Sequence, residues 1–261
     1  MHSLAQSDAM DTIFMNNEKI VCSVKEVAED AVKYVYPGEE TINTVYKNAI
    51  QKIVFRSGRV SIFAESTSYK KVTGVSDYDN VSFSHVASEV KGLYKIGEVS
   101  SKARGVTVFA DMERVKERAM FKLKIEAAMM GANVVFLTQE ATSGNHYGYY
   151  ASNATATNMA GIAYSNTLPS YTDFVGLVNE RTNFNVSKEV ELDNSSMDYT
   201  ETPKKERIHI DSLSNVSGFI MVVAAVDGQA DDTFRVISFD KDSFILEVSN
   251  ENAMYNLKVD F

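Results

Sequence analysis

The sequence predicts an α+β fold, mostly β, in three small modules: a β-barrel-like segment, a β-α-β-β segment, and an antiparallel β-sandwich or barrel. Three observations predict it. Apolar residues alternate with polar ones, at period 2, in runs of the first third of the chain. One stretch, from Asp111 to Gly131, carries apolar residues at helical spacing. Turn signals then divide the last third into short β-branched and aromatic runs. The boundaries that follow are a leader over 1–10, an N-terminal β-domain over 11–66, a linker over 67–84, a β-α-β-β domain over 85–169 and an all-β domain over 170–261.

In the first segment Ile20, Cys22 and Val24 share one face of a strand, with Asn16-Asn17 before it as a turn. A second run, Ala31 to Tyr36, stops at the turn dipeptide Pro37-Gly38. Thr41 to Ile50 reads as a strand followed by one helical turn. Lys52 to Phe55 and Val60 to Phe63, around Arg56-Ser57-Gly58, form a β-hairpin. The segment reads as a small antiparallel barrel or curled sheet of about five strands, since closure removes exposed edges. Residues 67–84 show little periodicity and read as a linker.

In the second segment Asp111 is an N-cap and Glu113 lies in the first helical turn, where a carboxylate suits the dipole. Val115, Ala119, Leu123, Ala127 and Met130 form a narrow apolar stripe, and Gly131 ends the helix in the left-handed conformation. Gly92 to Val99, Ala132 to Thr138 and Met159 to Tyr164 read as strands, giving β-α-β-β and a three-stranded sheet covered by one helix. The third segment shows no helical stripe. Its strand candidates are Phe184 to Leu192, Arg207 to Ile210, Ser217 to Ala225, Phe234 to Phe239, Phe244 to Val248 and Tyr255 to Phe261. The polar stretch 193–207, interrupted by Pro203, reads as a mobile loop.

The middle segment carries a resemblance. Gly92-Leu-Tyr-Lys-Ile-Gly-Glu-Val-Ser-Ser, followed by a helix ending Ala127-Ala-Met-Met-Gly-Ala-Asn-Val-Val-Phe-Leu137, resembles the β-α-β-β domain of the outer-membrane stress-sensor lipoproteins of the Rcs phosphorelay. It also resembles small domains credited with heavy-metal binding. Gly131-Ala132-Asn133 is the most specific part, and physics accounts for it. Gly131 supplies a positive φ, Ala132 lets the chain turn tightly onto the sheet, and Asn133 can bond carbonyls at the helix end. The resemblance therefore implies a fold more than an activity. The cysteines of those lipoproteins have no counterpart, because Cys22 lies in a strand-like run. The first segment, and the chain as a whole, looks like an exported protein of gut-type Gram-negative bacteria, and that resemblance implies no activity.

Composition narrows the function classes. Lys and Arg number 26 against 35 Asp and Glu, a formal net charge of −9, which argues against nucleic acid as partner because phosphate contacts need a basic face. No run of 18 apolar residues is present, so no transmembrane segment is expected. Ser3 and Ala5, two apart and followed by Gln6-Ser7-Asp8, have the form of the tail of a signal-peptidase site. The expectation is an exported protein, periplasmic or associated with the outer membrane. One cysteine gives no intrachain disulfide. With no covalent or metal staple, small modules bury little surface alone and are expected to pack on one another.

No catalytic residue is expected. G-x-S-x-G, P-loop and G-x-G-x-x-G motifs are absent. No two of His2, His85, His146 and His209 have the helical spacing of a metal pair, and Asp77-Tyr-Asp79 and Asp231-Asp232 do not extend into a calcium loop, so neither a metal site nor a cofactor is expected. The candidate binding residues are His146, Tyr147, Tyr149 and Tyr150, in an uncharged Tyr/Gly/Asn stretch over 143–158. Such a stretch suits an adaptable contact patch or a solvated hairpin loop. The function expected is a non-catalytic envelope protein binding another protein or a small ligand. The alternative is a carrier in which the runs Phe219 to Val223 and Phe234 to Phe244 line a cavity for an apolar molecule. An enzyme without a recognisable motif is a weaker third.

Overall fold

A computed structural model describes residues 10–15, 19–63, 69–105, 111–144, 146–147, 152–227 and 232–261. The fold is α+β and mostly β, as the period-2 runs predict. Two compact units are present: Met1–Ser68 with Val86–Leu93, and Tyr69–His85 with Tyr94–Phe261. Segments 85–169 and 170–261, distinct in the sequence, thus share the second unit, apart from 86–93.

The first unit is an antiparallel sheet of β1 (Asp11–Met15), β2 (Lys19–Val27), β3 (Ala31–Val35), β4 (Asn43–Tyr46), β5 (Ile50–Val54) and β6 (Val60–Ile62). Its order is β4-β3-β2-β1-β5-β6. No pairing among the described residues joins β4 to β6, so these two are edges of an open sheet rather than neighbours in a barrel. A 3-10 turn, Lys47–Ala49, follows β4, which is the helical turn read from the sequence. Alternation sends Ile13, Ile20, Cys22 and Ile53 to one face, where they pack with Val32 and Tyr34. Asp11 is buried, and its carboxylate accepts from Val24 N and Arg56 N, both at 2.8 Å. Cys22 is fully buried beside that carboxylate, and burial first, then the charge of Asp11, pushes its thiol up to about 11. The Asn16-Asn17 turn lies outside the described residues.

The stretch 67–84, expected as a linker, holds a 3-10 helix (Val75–Asn80) and the strand β7 (Ser82–Ser84). Val72, Val75 and Val81 are buried. Segments this short give no period to read, so their burial is invisible in the sequence. After β7 come β8 (Tyr94–Arg104), α1 (Met112–Met129), β9 (Val134–Ser143), β10 (His146–Tyr147), β11 (Ser152–Asn153) and β12 (Ala156–Ser165). The sheet is four-stranded, order β7-β9-β12-β8, with β7 parallel to β9 and the rest antiparallel. The fourth strand comes from the presumed linker.

Asp111 caps α1 as expected, accepting from Glu113 N at 3.0 Å. The predicted stripe packs on the sheet: Val115, Ala119, Leu123 and Ala127 are buried with Val99, Val135 and Met159. The sequence stripe is too narrow, however, because Ile125 and Met129 are also fully buried, on another side of the helix, against Val190 and Leu192.

The remainder is α2 (Tyr171–Val178) followed by β13 (Asn183–Asp193), β14 (Thr200–Val216), β15 (Phe219–Val226), β16 (Asp232–Phe239), β17 (Ser243–Ser249) and β18 (Ala253–Asp260). The six strands close into a barrel in chain order. Helix α2 is a correction to the helix-free expectation for this segment. At two turns it is too short for a clear stripe, but Ser170 caps it and accepts from Asp173 N. The stretch 193–207 is also corrected: from Thr200 it is strand, carrying Pro203 in β14 opposite Lys188 at a register shift, where a missing N–H is tolerated. Ile220, Val222, Phe234, Val236 and Phe244, which the carrier alternative set around a cavity, form one core inside the barrel with Phe174 and Val178 from α2. Phe244 meets Phe174 and Phe184 edge to face at 5.3 and 5.5 Å.

Candidate functional site

The site starts at the C-terminal end of α1. A helix leaves its last four carbonyls without intrahelical donors. Here each is accounted for. Glu126 O accepts from Met130 N, Ala127 O from Ala132 N and Ala128 O from Gly131 N. The last two bonds are a Schellman turn, and Gly131 takes the required φ of 74°. Met129 O accepts from Asn256 Nδ2 at 3.0 Å, and Met130 O, one residue on, from Arg235 at 3.1 Å. Asn133, expected to bond these carbonyls, instead donates to Asn166 Oδ1 at 2.6 Å. The helix end is thus closed by the barrel wall.

Arg235, Glu247 and Asn256 are neighbours across β16, β17 and β18. They lie on the outside of the barrel, because Val236, Leu246 and Leu257 beside them point inward. The Arg235–Glu247 pair, at 3.2 Å, is almost covered, with side chains 12% and 13% exposed. Asn256 is only 2% exposed. Its Nδ2 donates to two carbonyls, Met129 O and Tyr255 O, which fixes the amide orientation. Its Oδ1 is buried and has no donor among the described residues.

Asn256 lines a cleft of about 370 Å³ between the segment 71–76 and the outer wall of the barrel. Ser238 Oγ bonds Thr73 O and ties the two sides together. Gly74 admits the close approach, since a Cβ there would stand 3.0 Å from Ile245 Cδ1. Val190 and Ile245 give the cleft apolar walls, and Lys71, Lys188 and Lys258 give it charge. Lys188 and Lys258 are direct cross-strand partners, an unfavourable placement for like charges. Glu201 neutralises one of them, with Lys188 Nζ to Glu201 at 2.8 Å. Asp240 also lines the cleft, but its carboxylate accepts from Asp242 N and Ser243 N, both at 2.8 Å, and these bonds hold its pKa below the usual range. Both acids are therefore occupied, and Lys71 and Lys258 make no ion pair among the described residues. The cleft can accept an anion at the two lysines.

Of the residues singled out by sequence, His146 and Tyr147 form β10, paired with Asn153 and Ser152 of β11. Tyr149 and Tyr150 lie outside the described residues. Beside this hairpin, at the ends of β8, β9 and β12, a hollow of about 550 Å³ is lined by Lys102, Arg104 and Gly144 among others. His209 lies on the outside of β14, within 3.0 Å of Asn183 Oδ1. Among the described residues no cluster of three or more His, Cys, Asp or Glu side chains could hold a metal ion. Sequence reasoning missed Asn256 and the cleft lysines. In β18 the outward positions 254, 256 and 258 read as an ordinary solvated face, and only the cover provided by α1 makes Asn256 a buried polar residue.

Comparison with family models, with curated proteins and with solved structures finds no match for this chain.

Proposed function

We propose that this is a non-catalytic binding protein that takes a small organic anion in the cleft between segment 71–76 and the barrel. One observation carries the reading: Lys71 and Lys258 line the cleft beside the apolar walls of Val190 and Ile245 and make no ion pair among the described residues. The like charges of the cross-strand partners Lys188 and Lys258 support an anionic group on the ligand. A small carboxylate with an apolar part fits the lysines and the apolar walls. The non-catalytic part of the reading is supported by the cleft's acids, which are bonded to Lys188 and to backbone N–H groups and so are poor proton acceptors. Placement in the cell envelope rests on the resemblance of the middle segment.

Native mass spectrometry of the full chain, purified without denaturation, tests this. The expected result is a retained small molecule, lost or reduced at least tenfold in the double variant Lys71→Gln, Lys258→Gln. Both side chains are exposed at the rim, so the fold should survive. A clean unliganded mass, or a retained molecule indifferent to both substitutions, would overturn the proposal.

A further inference from the structure

The first unit carries an open strand edge of distinctive chemistry. In the β5–β6 hairpin, Phe55 N donates to Arg59 O at 2.9 Å and Phe63 N donates to Gln51 O at 3.1 Å. Antiparallel pairs alternate between bonded and non-bonded, so Arg59, Ser61 and Phe63 direct their backbone groups toward β5. Val60 and Ile62 therefore direct their N–H and C=O away from the sheet, and no strand among the described residues meets them.

The side chains at this edge are equally exposed. Val60 is 50% and Ile62 75% exposed. They end two cross-strand rows on the face opposite the core. One row is Val21, Thr12, Val54 and Val60, and the other is Lys19, Phe14, Lys52 and Ile62. Lys52 and Lys19 lie over the Phe14 ring at 4.8 and 5.6 Å. The two rows hold two lysines and no acid. On the other face of the edge, the Arg59 guanidinium stacks on the Phe55 ring at 3.8 Å and donates to Ser61 Oγ at 3.2 Å. The edge is thus apolar on one face and cationic on both, in a chain whose net charge is −9.

We infer that β6 is a docking edge for an extended acidic segment of another protein, added as a seventh strand. Backbone bonds to Val60 and Ile62 supply affinity, and alternate side chains supply selectivity. Apolar residues of the guest extend the rows ending at Val60 and Ile62. Acidic residues, pointing to the other face, meet Arg59. This edge belongs to the first unit and is independent of the cleft in the second.

The test uses the full chain and an alternating valine–glutamate heptapeptide, blocked at both ends, with an alternating valine–lysine peptide as control. Binding is read by titration, and hydrogen exchange reads the amides of Val60 and Ile62. The glutamate peptide should bind, slow exchange at those two amides, and bind at least tenfold more tightly than the lysine peptide. Ile62→Pro removes an outward N–H without removing a bond to β5 and should weaken binding at least tenfold. Arg59→Glu should reverse the peptide preference. If Ile62→Pro does not fold, N-methylation of alternate peptide residues makes the same test from the other side. No binding at millimolar peptide, equal binding of the two peptides, or binding indifferent to backbone methylation would overturn the inference; so would protection at amides other than Val60 and Ile62.

Discussion

At Glu126 a single carboxylate reports how tightly α1 lies on the edge of its sheet. Its Oε2 accepts from Ser100 N of β8 at 3.1 Å, but burial outweighs this bond and the charge of Lys122, raising its pKa to about 7. An acid whose folded pKa is raised binds its proton more tightly when folded. Its effect on stability is most favourable below the ordinary carboxylate pKa and is lost as pH rises through about 7. The unfolding midpoint of the second unit should therefore fall between pH 5 and pH 8. Glu126→Gln should flatten that slope, and an unchanged slope would show that other groups set it. Asn256 gives a second residue-scale test. Asn256→Ala leaves Met129 O without its donor and should cost roughly 1–3 kcal/mol in denaturant unfolding, even though it also removes the unsatisfied Oδ1.

The ends of α1 show how far an element can be read locally. Asp111 and Gly131 were both legible, because a cap and a left-handed terminus are demands of the helix itself. Gly131→Ala should cost about 1–2 kcal/mol from the positive φ alone. Its Cβ would also stand 3.2 Å from Ile237 Cβ, so the loss should sit at or above the top of that range in thermal or denaturant melts. The second buried side of α1 was not legible. Ile125 and Met129 look like excess apolar residues beside a narrow stripe, and they acquire a purpose only when Val190 and Leu192 of β13 arrive. Helix α2 was missed for a related reason. Two turns are too few to establish a period, and Phe174 is recognisable as a core residue only inside the barrel, where it meets Phe244. Truncation there, Phe174→Ala, should cost about 3–5 kcal/mol; a loss under 1 kcal/mol would mean that the barrel interior does not depend on it.

Across the second unit, α1 is shared property. One side closes the four-stranded sheet, another lies on the barrel wall, and its last carbonyls are held by Asn256 and Arg235. Lys122 adds a bond from α1 to Asn194 O at 2.6 Å. Sheet and barrel should therefore unfold together. Native-state hydrogen exchange checks this: amides of Leu123 in α1 and Leu246 in β17 should report the same opening free energy, and Met129→Asp should lower both. Two separate values that respond independently would mean two cooperative units. The same packing creates the cleft, since segment 71–76 has a wall to face only when sheet and barrel are joined.

By itself the sequence determined the secondary-structure class, most strand positions and the caps of α1. Each of these follows from short-range rules: period 2 or 3.6, side-chain caps, and glycine where φ must be positive. Tertiary structure alone decided that the first sheet stays open, that 67–84 is built into the second unit, that the last six strands close into a barrel, and that Asn256 is buried with an unmet acceptor. These depend on which surfaces meet across long stretches of chain. An alternating strand looks the same whether its outer face meets water or a helix, so a polar residue on that face becomes a buried one only when a distant element covers it.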